Sequence, residues 1–139
     1  MTALTAAFEP ARKDGTYVQY PVGASQTIFK GSLLATRGDG YAYPLRAPYS
    51  ENADIFIGVA DETVNNANGS AGAAFVHVWK TGSFTVAKAS AALTDIGTLF
   101  YGADDATVTA TSTNAIPVGY ASEVVSGSQL KIRIDRQTM

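Results

Sequence analysis

The sequence predicts an all-β fold: a small sandwich or barrel built from two internally duplicated β units, with an extended N-terminal arm. Three observations lead there. Apolar residues come in short runs broken by Gly, Asn, Asp and Ser, the spacing of many short strands joined by turns. Several runs alternate apolar and polar residues, the two-residue period of a pleated strand with one wet face. A stretch of the first half recurs in the second.

Taken in order, the first 24 residues combine Pro10, Gly15, Pro21 and Gly23 with isolated apolar residues and lie outside the recurring stretch. A segment with so little local core is expected to be disordered or to lie on another molecule by strand addition. Phe8, Tyr17 and Tyr20 are its expected anchors. The remainder, 25–139, reads as one β domain. Candidate strands are 16–20, 32–36, 41–45, 55–60, 75–80, 82–86, 98–101, 107–109, 117–125 and 130–135, with one helical turn suggested by the Ala and Leu residues of 87–93. In 130–135 Leu130, Ile132 and Ile134 alternate with Lys131, Arg133 and Asp135. In 75–80, Phe75, His77 and Trp79 share one face and Val76 and Val78 the other. That strand is expected near the sheet centre, covered on both sides.

The duplication aligns 55–64, IFIGVADETV, with 116–125, IPVGYASEVV. Gly31, Ser32, Leu33 and Leu34 likewise match Gly97, Thr98, Leu99 and Phe100, and Asp39 matches Asp105. The offset falls from 66 to 61 between these blocks, so five extra residues sit in the first copy, in the loop between Arg46 and Asp54. The units, about 31–80 and 97–135, are too small to build separate cores and are expected to pack about a pseudo-twofold axis. Gly58 and Gly119 inside strands indicate a bulge or a close backbone approach. Glu62 and Glu123, equivalent across the duplication, are expected far apart, in a rim role or a salt link rather than as an acid–base pair.

Composition narrows the function. With 139 residues and only 16% charged, against roughly 25% in an average soluble domain, the chain suits a single domain that buries about 68% of its unfolded surface. The absence of Cys and the single His exclude disulfides, thiolate zinc sites, Cys nucleophiles and multi-His metal centres. No cofactor is expected. A net charge of −2 with scattered basic residues gives no electrostatic footprint for nucleic acid or an anionic membrane. No apolar run reaches the roughly 18 residues of a membrane helix, and the first residues lack a secretory pattern, so synthesis in a cytoplasm is expected.

Short motifs yield little chemistry. Arg37-Gly38-Asp39 spells an adhesion tripeptide but consists of hairpin-turn residues. Asn68-Gly69-Ser70 matches a glycosylation acceptor and reads as an Asn-Gly turn. His77 has no nucleophile suggested by spacing. Asp95, Asp104 and Asp105 lack the alternation of a calcium loop and read as solvated turns.

Read together, Gly31-Ser-Leu-Leu, Asp39-Gly-Tyr-Ala, Ile57-Gly-Val-Ala-Asp-Glu-Thr-Val, Val76-His-Val-Trp-Lys-Thr-Gly-Ser-Phe, Asp95-Ile-Gly-Thr-Leu-Phe-Tyr and Val118-Gly-Tyr-Ala resemble the small capsid cement, or head decoration, proteins of tailed bacteriophages. The resemblance covers about 22–135 and rests on pattern rather than on a catalytic signature. It implies a non-enzymatic, commonly homotrimeric β protein on the capsid exterior. Its partner would be the major capsid protein, whose subunits it clamps after shell expansion, with Phe8, Tyr17 and Tyr20 of the arm contacting the capsid or a neighbouring subunit and Phe75, His77 and Trp79 in the core or a trimer seam. The family has no fixed functional residues to carry over, and the 24-residue arm departs from its pattern. The alternative is a host-surface or glycan-binding module using Tyr41, Tyr43 and Tyr49; an enzyme built on Glu62 and Glu123 ranks third.

Overall fold

Strand formation follows the alternation, and two glycines decide how the strands pack. The computed structural model describes residues 2, 3, 5–7, 12, 15–46 and 54–135; Phe8 and Tyr49 lie outside them. The strands are β1 (Tyr17–Pro21), β2 (Gln26–Ile28), β3 (Leu33–Arg37), β4 (Ala42–Pro44), β5 (Asp54–Ala60), β6 (Val64–Asn66), β7 (Phe75–Trp79), β8 (Ser83–Ala87), β9 (Leu99–Gly102), β10 (Val108–Thr109), β11 (Pro117–Ser126) and β12 (Gln129–Arg133). They form an open, sandwich-like all-β fold. One five-stranded sheet runs β1-β7-β5-β3-β4, the other β10-β9-β11-β12-β8, and β2 pairs with β6 in a small third sheet.

The two large sheets are copies, strand for strand. Reading the first from β4 to β1 and the second from β10 to β8 superposes β4 on β10, β3 on β9, β5 on β11, β7 on β12 and β1 on β8. The registers agree: Leu34 faces Gly58 where Phe100 faces Gly119, Val59 faces Trp79 where Tyr120 faces Arg133, and Tyr17 faces Trp79 where Ser83 faces Arg133. Both copies carry a bulge at the glycine, between the Leu34 and Ala35 pairings in one and the Pro117 and Gly119 pairings in the other. A Cβ on Gly58 would run into the carbonyl oxygen of Trp79 and lie 2.8 Å from Val78 Cγ1. On Gly119 it would meet the carbonyl of Arg133 and lie 2.8 Å from Ile132 Cγ2. Only hydrogen fits at either position.

The structure departs from four expectations. The segment before residue 24 is not an arm throughout. Tyr17–Pro21 pairs along its whole length with β7 of the same chain, covering β7 and becoming the edge strand of the sheet itself, and Val22 is fully buried. This segment also belongs to the duplication, as the counterpart of β8, although its side chains match none of those in 83–87. Second, Phe75, His77 and Trp79 are not core residues. Strand β7 lies between β1 and β5 with Val76 and Val78 fully buried beneath it, while Phe75 is 50% and Trp79 37% exposed on the outer face. Third, no helix forms over 87–93. Ser90 takes a left-handed φ of 56°, which interrupts helical winding, and the only helical turn among the described residues is the 3-10 turn Leu93–Asp95.

The units also do not pack about a pseudo-twofold, because a twofold brings equivalent residues together and here unlike faces meet. On the first sheet, Leu34, Ile57, Ala60, Val76 and Val78 point to one side, where they cluster with Val22 and Ile28. Their counterparts Phe100, Val118, Ala121, Leu130 and Ile132 form the same face of the second sheet, yet cluster with Leu33, Ala35, Phe56 and Val59 of the first. The front of the second unit is thus seated on the back of the first, while β2 and β6 help cover the first unit's own front.

The glycine approaches predict the cost of their loss. Gly58 holds a φ of 135°, which L side chains rarely adopt, in addition to the blocked Cβ. Gly58→Ala is expected to lower the unfolding free energy by about 3 kcal/mol and Gly119→Ala by about 2 kcal/mol in denaturant titrations. Equal stability of Gly58→Ala and wild type would contradict the packing described.

Candidate functional site

The register of β1 on β7 gathers the conspicuous aromatics. Tyr17 lies opposite Trp79 and Gln19 opposite His77, and ring side chains reach diagonal as well as direct partners across such a pair. The Tyr17 ring stacks on His77, with centroids 5.0 Å apart and planes 5° from parallel, and tilts by 54° against Trp79 at 4.5 Å. Phe75 continues the same face.

Two carboxylates from the turn after β5 organise this surface. Asp61 accepts hydrogen bonds from the Tyr17 hydroxyl and from Trp79 Nε1, each at 2.8 Å. Glu62 accepts from the His77 backbone N–H at 3.2 Å and pairs with Nδ1 of its ring at 3.0 Å. The hydrogen bond to Asp61, with smaller effects from burial and the two nearby charges, pushes the Tyr17 phenol up to about 12. The same contacts, Trp79 first and Tyr17 second, hold the Asp61 carboxyl below its ordinary range. At neutral pH Tyr17 is therefore a neutral hydrogen-bond donor and Asp61 an anion. That combination does not make a nucleophile. It makes a platform of aromatic faces beside a carboxylate, suited to apolar or cationic groups.

The other residues singled out in the sequence go elsewhere. Tyr20 sits on the opposite face of β1, packed against the first unit's core cluster, where its hydroxyl accepts from Lys80 Nζ at 2.6 Å. Glu123 pairs with Lys131 Nζ at 3.7 Å, the register counterpart of the Glu62–His77 pair, so each glutamate is engaged on the closing strand of its own unit. The Arg37-Gly38-Asp39 turn is tied to its hairpin. Arg37 lies 4.3 Å above the Tyr43 ring, and Asp39 accepts from the Tyr43 hydroxyl at 2.6 Å and the Tyr41 N–H at 3.0 Å. Asp95 accepts from Lys88 and the Ala92 N–H, Asp104 from the Ala106 N–H, and Asp105 from the Ser32 hydroxyl. Among the described residues no three His, Cys, Asp or Glu side chains converge as metal ligands do.

One feature of the surface escaped the sequence reading. Gly97, Tyr120, Arg133 and Asp135 line an open cavity of about 320 Å³ on the back of the second unit. The duplication carries its signal: Tyr120 is the counterpart of buried Val59, and Arg133 that of Trp79. A large side chain replacing a buried small one indicates a face that is covered in one unit and open in the other.

No protein-family model matches the chain, and no curated protein matches it. Among solved structures the chain is similar to the head fiber gp8.5 N base of bacteriophage phi29. The identity is 24% and the TM-score 0.48, over 88% of this chain and 98% of that one.

Because Trp79 is the single tryptophan, its fluorescence reports the Asp61 contact directly. A carboxyl whose folded pKa is depressed contributes stability above its unfolded pKa and loses it as pH falls through the folded value. Trp79 emission is therefore expected to hold steady as pH falls through the ordinary value of 3.8 and to shift only below it. Asp61→Asn should remove that step, and a step of unchanged position in Asp61→Asn would assign it to another group.

Proposed function

We propose that the protein is a structural component of a tailed-phage head that binds the outside of the icosahedral capsid and bridges major capsid subunits. The observation that carries this reading is how the side chains are used. The carboxylates and the histidine of the aromatic surface are engaged in holding the fold, while Phe75, Trp79 and Tyr120 remain exposed. Exposed aromatics on a rigid β scaffold favour binding over turnover. The family pattern across 22–135 supports the same conclusion.

Physically the task requires surface rather than reactive groups. A protein that binds only the intact, expanded shell stabilises that shell by mass action, and several linked copies turn modest contacts into a long-lived attachment. The assigned capsid contact is the segment ahead of β1, with Phe8 as its anchor. Tyr17 and Tyr20, expected to share that role, are held within their own chain. The Phe75, His77 and Trp79 face is assigned to contact between copies, with a homotrimer as the expected assembly.

The direct test is binding to expanded capsids that lack the protein. Saturable occupancy and increased resistance of the shell to heat are expected. Removing residues 1–14, which leaves β1 whole, should weaken attachment by about tenfold or more without changing the thermal midpoint of the isolated protein. Failure of the full chain to bind capsids would overturn the reading, and full occupancy by the truncated chain would remove the assignment of Phe8.

A further inference from the structure

The chain contains one interface of unlike faces, the front of the second unit on the back of the first, and this packing leaves the second unit's own back uncovered. Leu33, Ala35, Phe56 and Val59 form the covered back of the first unit. Their counterparts Leu99, Tyr101, Pro117 and Tyr120 are only partly buried, with Tyr120 39% exposed beside the 320 Å³ cavity. A sheet face of this kind either meets a partner or leaves an apolar patch in water.

The outer halves of the two backs differ in a complementary way. At equivalent positions the first unit carries Trp79 and His77 where the second carries Arg133 and Lys131. The first patch is aromatic and anionic. Asp61 is held there by neutral donors, so its charge is solvated without being cancelled, with Lys30 and His77 acting on it only through space. The second patch carries Arg133 and Lys131 at its rim, each beside a carboxylate. The Arg133 side chain is 68% exposed, and Asp135 takes only its Nε, at 3.1 Å; Lys131 stands 3.7 Å from Glu123. Arginine on the face of tryptophan or tyrosine is a favourable pairing, and the cavity between Tyr120 and Arg133 can receive an aromatic side chain.

We infer that these two patches bind each other between copies of the chain, the Phe75–Trp79 face of one copy meeting the Tyr120–Arg133 face of the next. The contact is head-to-tail, as inside the chain, and head-to-tail contacts close into rings when the rotation allows. The occupant of the cavity is Phe75 or Trp79 of the neighbouring copy. The inference specifies the contact between copies named in the proposed function but does not depend on capsid binding, because it is read in solution.

The test uses light scattering of the full chain over a range of concentrations. Wild type is expected as a closed oligomer whose mass is a whole multiple of 14.5 kDa. Phe75→Lys, which breaks only the first patch, and Arg133→Glu, which breaks only the second, should each reduce the mass to a single chain. An equal mixture of the two variants should form a species of two chains and no larger, since one intact pair of patches remains between them. Tyr120→Ser repeats the loss without touching the Arg133–Asp135 pair, and circular dichroism confirms that each variant is folded. A monomeric wild type, an Arg133→Glu chain that keeps the wild-type mass, or a mixture that stays monomeric each overturns the inference. Capsid binding by a monomeric wild type would meanwhile leave the proposed function standing.

Discussion

The approach of β5 to β7 at Gly58, repeated by β11 and β12 at Gly119, is the constraint on which the remaining architecture depends. A strand that alternates without interruption buries one set of residues and exposes the other. The bulge at Gly58 shifts that phase, so Phe56 and Val59 point to one side and Ile57 and Ala60 to the other, all four buried. A sheet that is apolar on both sides is what allows one unit to receive another on its back. Without a glycine there, the Trp79 carbonyl would block the approach, β7 could not follow β5 in register, and the aromatics of β7 would lose the frame that sets them against Tyr17.

Much of this was legible in the sequence. The glycine and the alanine two positions later, seen twice, gave away both the duplication and the bulge, since few other physical reasons put glycine mid-strand. The hairpin of β3 and β4 was marked by Gly38 and Gly40, both with positive φ. The place of β1 was hidden, because it corresponds to β8 through backbone pairing alone and Tyr17-Val-Gln-Tyr-Pro matches Ser83-Phe-Thr-Val-Ala at no equivalent position. Strands β2 and β6 were missed for a related reason: three residues each, rich in Gln, Thr and Asn, carry too short a pattern to register.

The candidate site was half legible. Alternation placed Phe75, His77 and Trp79 on one face, but apolar residues on both faces of the strand suggested cover on both sides, whereas the interior is filled by Val76 and Val78 alone. Period-two patterning identifies faces without saying which one is dry. What tips the balance is context on neighbouring strands, namely that Val76 and Val78 meet Leu34, Ile57 and Ala60 in a cluster closed by Ile28. The carboxylates could not be assigned from spacing either, because Asp61 reaches Tyr17 across 44 residues of chain.

Equivalent positions in the two units share their strand pairing and differ in environment, which separates what the fold requires from what the surroundings allow. Gly58 and Gly119 are identical because the backbone admits nothing else. Glu62 and Glu123 are identical and hold the same kind of link to the closing strand, with histidine as partner in one and lysine in the other. Val59 and Tyr120 differ because one is roofed by the second unit and the other is not. By the same logic Trp79 and Arg133 occupy a position that the fold leaves unconstrained, since both extend from the outer face of a closing strand. Trp79 donates to the Asp61 carboxylate of its own unit, whereas Arg133 meets Asp135 through Nε, keeps 68% of its side chain exposed and lines the open cavity, the arrangement from which the contact between copies is inferred.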